Sequence, residues 1–267
     1  PDVGEMARTY VADIVNVPLS ASRLDQVAAC PYKFFASRIL RLDVSTDTED
    51  TLSGIERGAM MHDVARRFYE RIRGRAVKDV AGVDELLAAR VELEEVHRHE
   101  YMSALLEIYN DVSVVYDTDH TYAETERRSI IGTPERPGLL YRWLAHELKQ
   151  QASVELRPAL FEFDLSVVVD GEAVRGRVDR IDVAPYQTPT GTTGVLFSVI
   201  DYKTQRKSAP TKKNVLANEA TQMPLYVSGV LAAFNDRGIE ATPSQAIYRT
   251  FGKSMKVVED PSDRAVL

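Results

Sequence analysis

One cysteine, Cys30, in 267 residues excludes an internal disulfide framework. Long apolar runs are missing as well. The longest, "LYVSGVLAAF" at 225–234, is too short to cross a bilayer and is interrupted by small polar residues, so no membrane partner is expected. There is no signal peptide, and the expected compartment is cytoplasmic. No internal repeat or low-complexity segment occurs, and a chain that opens on Pro1 rather than Met reads as a segment of something longer.

The remaining composition is that of an ordinary soluble globular protein, 44% hydrophobic and 27% charged, long enough to bury a substantial core. A net charge of −7 argues mildly against a nucleic-acid partner, but distribution matters more than the sum. Residues 203–213, "KTQRKSAPTKK", carry Lys203, Arg206, Lys207, Lys212 and Lys213 and no acid, and 66–78, "RRFYERIRGRAVK", is almost as basic. The acids gather in 43–56 and 84–126. That polarity suits a surface gripping a phosphate backbone; either run alone fits a solvated face equally well.

The first half reads as helical. Ser20 is a good N-cap for a helix over 20–40 that kinks at Cys30-Pro31, because proline disfavours helical geometry in its predecessor. Met61, Val64, Ala65, Phe68 and Ile72 recur on one face of a helix over 55–73. Asp84 is expected to cap a long helix to about Tyr109, with further helices over 110–152 broken at "GTPERPG". The second half changes character. A strand at 160–169, a turn at Asp170-Gly171 and a partner at 172–183 form a hairpin. A third strand follows at 195–203, then a basic loop, a helix over 214–235 and a closing strand or two near "SQAIYRTFGKSMKVVED". The predicted fold is an α/β (mixed α+β) sheet core at 156–260 with a helical decoration at 75–155, all in one domain of 1–267.

Four short pieces carry chemistry. "GAMMH" puts His62 one helical turn after Gly58, whose missing side chain lets another backbone approach. "GRVDRID" carries Asp179 on the second strand. In "VIDYK", Asp201 and Lys203 share one face of a strand. "QMPLY" puts Gln222 and Tyr226 one turn apart on a helix. Two carboxylates from adjacent strands suffice to hold hard Mg2+ against a substrate phosphate. A lysine beside the ion can orient or deprotonate a water and stabilise transition-state charge, and the neighbouring cation favours its neutral form. Each piece alone has a plainer explanation: a surface salt bridge for D-x-K, a packed histidine, a half-buried Gln/Tyr face, a hairpin strand whose arginines pair with Asp182 or Glu162. The ordered set is what distinguishes the chain.

In that order, and from "LSASRLDQVAACPYKFFASRILRL" to "QAIYRTF", the sequence resembles the nuclease domain of the RecB/AddB branch of the PD-(D/E)xK superfamily. The resemblance implies a restriction-endonuclease-like core and a Mg2+-dependent DNA nuclease of exonuclease type, with Mn2+ as a substitute ion. It implies single strands or ends as substrate and a helicase as partner or fused domain. It assigns His62, Asp179, Asp201 and the carbonyl of Tyr202 to the metal, Lys203 to catalysis, and Gln222 and Tyr226 to bracing the site and meeting the DNA. Glu162, in "LFEFDL", takes a supporting role, and Arg206, Lys207, Lys212 and Lys213 fall beside the site as DNA-binding candidates. A rival reading is a catalytically silent DNA-binding module, although silent copies usually lose a carboxylate or the lysine. Relatives with a [4Fe–4S] cluster place one cysteine where Cys30 stands and three near the C-terminus. A cluster normally needs four thiolates, so none is expected here and Cys30 reads as a buried thiol packing as a small hydrophobe.

Overall fold

The computed structural model describes residues 19–42, 54–116, 123–133, 135–169, 171–189, 191–203 and 221–250. In chain order the elements are β1 (Leu19–Ser20), α1 (Ala21–Ala29), α2 (Pro31–Phe34) running into a π-helical turn (Phe35–Ile39), α3 (Gly54–Arg73) and α4 (Val83–Ala88). They continue with α5 (Arg98–Tyr116), α6 (Ala123–Ile131), α7 (Leu139–Ser153), β2 (Arg157–Val169), β3 (Glu172–Gln187), β4 (Thr193–Lys203), α8 (Gln222–Asn235) and β5 (Ala241–Thr250).

A five-stranded mixed sheet lies between two helical layers. β2 and β3 form the expected hairpin, with Gly171 at φ +86° in the turn, a backbone that glycine adopts without strain. β4 pairs antiparallel with β3 and parallel with β5, the parallel return being made through α8. β4 is buried along nearly its whole length, as a strand covered on both faces should be. One face of the sheet packs against α3, α5 and α7 through Phe161, Ile200 and Tyr202. The other packs against α4 and α8 through Ile181, Val183, Phe197, Val199 and Phe234.

Because β2 occupies one edge of β3 throughout 172–183, β1 and β4 must share the other. β1 pairs there at Val174 and Arg175, and the β4 ladder begins only at Arg180. The intervening stretch of β3, with Asp179 in it, faces a gap between the two strands.

Ser20 caps α1 as expected, its hydroxyl accepting from the Arg23 N–H, and the kink falls at Cys30-Pro31. Cys30 is not a buried core thiol, however. It is only partly buried, and its Sγ accepts the Lys33 N–H at 3.4 Å, capping α2. The long helix from Asp84 to Tyr109 is also not formed. α4 stops at Ala88, residues 90–94 run extended, and α5 begins at Arg98. The extended piece is held by the Val91 N–H on the Pro158 carbonyl and the Leu93 N–H on Gln151 Oε1, each at 2.8 Å. Val91 and Leu93 are buried while Glu92 and Glu94 are exposed, an alternation of period two present in "RVELE" but masked by its helix-favouring composition. The three main strands are longer than expected at their outer ends. The basic segment 204–213, with Arg206, Lys207, Lys212 and Lys213, and the expected helical start at 214–220 lie outside the described residues.

Candidate metal centre

The site forms where the β3–β4 ladder ends. Its last pair is Arg180 with Ile200, which places Asp179 and Asp201 opposite each other one step beyond. The Tyr202 N–H, released there from the ladder, donates to Asp179 Oδ2 at 2.6 Å. Across the hairpin, Phe161 pairs with Arg180 and Phe163 with Val178, so Glu162 stands opposite Asp179 from the other side. Glu162 sits at φ +49°, a left-handed backbone that a side-chain-bearing residue adopts at a cost of about 1–2 kcal/mol. Strained residues of this kind gather at functional sites.

His62 reaches the same place from α3, with the buried Gly58 one turn ahead of it. Its Nδ1 lies 3.7 Å from Asp179 Oδ1 and its ring centroid 5.4 Å from that of Tyr202. One donor atom from each of His62, Glu162 and Asp179 falls within 4.8 Å of the others. Asp201 is outside this trio and belongs to the α8 side. Its Oδ2 lies 2.7 Å from Lys203 Nζ, an ion pair without the alignment of a hydrogen bond, so that buried oxygen has no directed donor among the described residues.

Gln222 ties this half together. Its Nε2 donates to Asp201 Oδ1 at 2.8 Å and to the Tyr226 hydroxyl at 2.9 Å, while its Oε1 accepts from Lys203 Nζ at 3.1 Å. Asp25 of α1 fixes the start of α8, its Oδ1 accepting from the Thr221 and Gln222 N–H groups and the Thr221 hydroxyl. Tyr226 lies close over the sheet because β3 offers Gly176 beneath it; a Cβ there would come within 2.7 Å of the ring. Lys203 Nζ also stands 5.4 Å from the centroid of the Tyr248 ring, within cation–π range.

The electrostatics are those of carboxylates crowded together and short of water. Burial, then the charge of Asp201, push the Asp179 carboxyl well above the usual range, against the Tyr202 hydrogen bond. Burial also raises Asp201, with Lys203 opposing, and raises Glu162, with Arg177 and Arg66 opposing. Burial lowers His62 to about 4; a hydrogen bond to the Tyr202 backbone works against that and the Lys203 charge adds to it. Its imidazole is therefore neutral at physiological pH, the form that binds metal. One imidazole nitrogen and several carboxylate oxygens are a donor set that suits a divalent cation.

A groove of about 700 Å³ opens beside His62 and Glu162, lined by Arg66, Lys78, Arg177 and Arg237 and by the acids Asp63, Glu70, Asp79 and Asp164. Much of the basic run at 66–78 is engaged within the protein. Arg66 binds Asp63 and Glu70, Arg67 binds Asp63, Arg71 binds Glu107, and Arg73 caps the carbonyls of Ala89 and Ala159.

Two contributors do not stand out in the sequence. Asp25 gives no signal there that separates it from other acids. Glu147 gives a faint one, as the lone acid on the apolar face of "LLYRWLAHELK". It is fully buried and bonded to Arg180 and Arg249. The Arg180–Asp182 pairing considered for the hairpin strand is present, Nε to Oδ1 at 2.5 Å.

A five-stranded mixed sheet flanked by helices, its strands parting over opposed aspartates with a D-x-K at the end of β4, is the arrangement expected of a PD-(D/E)xK fold. Comparison with known families agrees: the PD-(D/E)XK nuclease superfamily matches residues 18–265, and the chain belongs to it. It is similar to one subunit of the ATP-dependent helicase/deoxyribonuclease of Geobacillus kaustophilus (strain HTA426), 28% identical over 248 residues, 87% of this chain and 19% of the relative. The corresponding protein of Geobacillus thermodenitrificans (strain NG80-2) is 26% identical over 249 residues, with the same coverage of each chain. The chain thus spans about a fifth of the length of these curated relatives, 19%. Their kind is the RecB/AddB-like one that the sequence resembles.

Proposed function

We propose that this chain is a divalent-metal-dependent DNA nuclease of exonuclease type that trims DNA ends in recombinational repair, working beside or within a helicase. The observation that carries the reading is the complete set at the ladder end: three carboxylates, a neutral histidine, and Lys203 poised on Asp201. His62, Glu162 and Asp179 would hold the ion, with the undirected Oδ2 of Asp201 and the backbone carbonyl of Tyr202 as further ligands. Glu162 then does more than support. When bound, Mg2+ or Mn2+ supplies Lewis acidity toward a phosphoryl oxygen and lowers the pKa of a bound water.

The protein's own groups do the rest. Lys203, held by Asp201 and Gln222, offers an ammonium to orient the attacking water and to neutralise charge growing on the phosphoryl oxygens. Gln222 keeps that ammonium and the Asp201 carboxylate in one register. Tyr226, raised to about 12 chiefly by burial, remains a neutral phenol whose hydroxyl accepts from Gln222 and braces it beside Asp201. Helicase partnership is proposed from the names of the relatives.

End-labelled single- and double-stranded DNA incubated with the chain in Mg2+ and in EDTA tests this. Metal-dependent cleavage is expected, lost in Lys203→Ala and Asp179→Asn with binding retained. Binding without cleavage by the unaltered chain would make it a silent DNA-binding module instead.

A further inference from the structure

Behind the carboxylates lies a second layer of charge, fully buried. Glu147 of α7 accepts at Oε2 from the Tyr69 hydroxyl at 2.6 Å and from Arg180 Nη1 at 2.7 Å, and at Oε1 from Arg249 Nη1 at 2.6 Å. Arg180 grips Asp182 with two further bonds and donates to the Tyr202 hydroxyl at 3.0 Å. Glu147 is 0% exposed, Arg180 2%, Arg249 4% and Asp182 6%. Apolar side chains of similar volume often pack as stably as such a cluster, so net stability is a weak reason for burying four ionised groups.

Position gives a better one. Arg180 directly follows Asp179. Tyr202 lies between Asp201 and Lys203. Arg249 pairs with Tyr202 in the β4–β5 ladder, next to the Tyr248 that pairs with Asp201. Tyr69 lies two turns along α3 from His62. Neighbouring residues on a strand point to opposite faces, so pinning one fixes the direction of the next. A single carboxylate therefore ties α3, β3 and β5 together directly, and β4 through Arg180 and the Tyr202 hydroxyl.

We propose that Glu147 is a positioning residue for the metal centre: through Arg180, Arg249 and Tyr69 it sets the separation of the strands whose front faces carry Asp179, Asp201 and Lys203. The proposal rests on the metal-centre reading above. It makes α7 part of the site's geometry, with Glu147 acting on the ligands only through other residues.

Mn2+ binding followed by electron paramagnetic resonance, together with kcat and KM for DNA cleavage, tests it in three variants of the chain. Glu147→Gln is expected to weaken Mn2+ binding roughly tenfold, the lower end for groups that support metal ligands, and to lower kcat more than it raises KM. Tyr202→Phe keeps the ring and the backbone carbonyl but removes the acceptor for Arg180; a loss of about fivefold is expected. Leu148→Ala loosens the same helix without touching the network. It should lower the melting temperature while leaving the Mn2+ affinity of the folded protein unchanged. If Glu147→Gln does not fold, Tyr202→Phe against Leu148→Ala decides the matter. Unchanged Mn2+ affinity in the folded network variants, or an equal loss in Leu148→Ala, overturns the proposal while the metal centre stands. An unaltered chain that binds no Mn2+ overturns the metal-centre reading and this proposal with it.

Discussion

Glu162 concentrates the conflict between stability and function at the scale of one residue. It combines a left-handed backbone with a half-buried carboxyl whose pKa burial has raised, beside the equally crowded Asp179. Each of these features opposes folding in metal-free buffer, and the crowded carboxylates favour a cation. Asparagine tolerates the left-handed region better and carries no charge. Glu162→Asn is therefore expected to raise the melting temperature in EDTA by about 2–4 °C, the shift that roughly 1 kcal/mol produces in a domain of this order of size. The same variant should lose most of the additional stabilisation that Mn2+ confers on the unaltered protein. Thermal melts with and without Mn2+ read both effects. A fall in the metal-free melting temperature would mean that the carboxylate is held by Arg66 and Arg177 as a structural partner.

Among the elements, α7 carries an unusual share of the electrostatics. Burial by itself would raise the Glu147 carboxyl, but Arg180 and Arg249 outweigh it and bring it down to about 2. A carboxyl depressed in the fold contributes stability that is fully present above its unfolded pKa of about 4.3 and is lost as pH falls toward 2. The amount is on the order of 3 kcal/mol at neutral pH. Melting temperatures measured from pH 6 to pH 2 should therefore fall through that window. In Glu147→Gln the unfolding free energy at neutral pH is expected to be lower at the outset, by about 3–5 kcal/mol for arginines left buried without their partner, and the acid slope of the melting temperature flatter. An unchanged acid slope would assign the pH dependence to other carboxylates.

For the molecule as a whole, the proposed function asks a chain of net charge −7 to hold an anionic polymer. Many arginines of the 66–78 run are bound to acids of their own helix or its neighbours. The burden then falls on the acid-free run 203–213. Affinity for single-stranded DNA, measured in EDTA with Asp201→Asn, is expected to fall with salt at a slope of about −0.7 per phosphate neutralised. Replacing Lys212 and Lys213 with alanine should flatten the slope and weaken all sequences alike, because phosphate contacts carry no base information. A slope the lysine pair does not alter would place the grip on DNA elsewhere.

Local order was legible in the residues themselves. The recurrence of Met61, Val64, Ala65 and Phe68 announces the buried face of α3, Ser20 its role as a cap, and the "VIDYK" spacing sets Asp201 and Lys203 on one face, where their charged atoms meet at 2.7 Å. These follow from helix and strand periods alone. Where periodicity and composition disagreed, as in "RVELE", composition misled: the backbone of Val91 is taken by Pro158, a partner far along the chain. The site itself depended on such distant choices. Only the register of β2 on β3 puts Glu162 and Asp179 opposite each other, and only the end of the β3–β4 ladder sets Asp201 across from Asp179. Whether a carboxylate is a ligand, a brace or a surface charge depends on what surrounds it. Glu147 and Glu162 are alike as letters in the sequence. Packing seals one between two arginines, and it sets the other beside His62 and Asp179 at the metal centre.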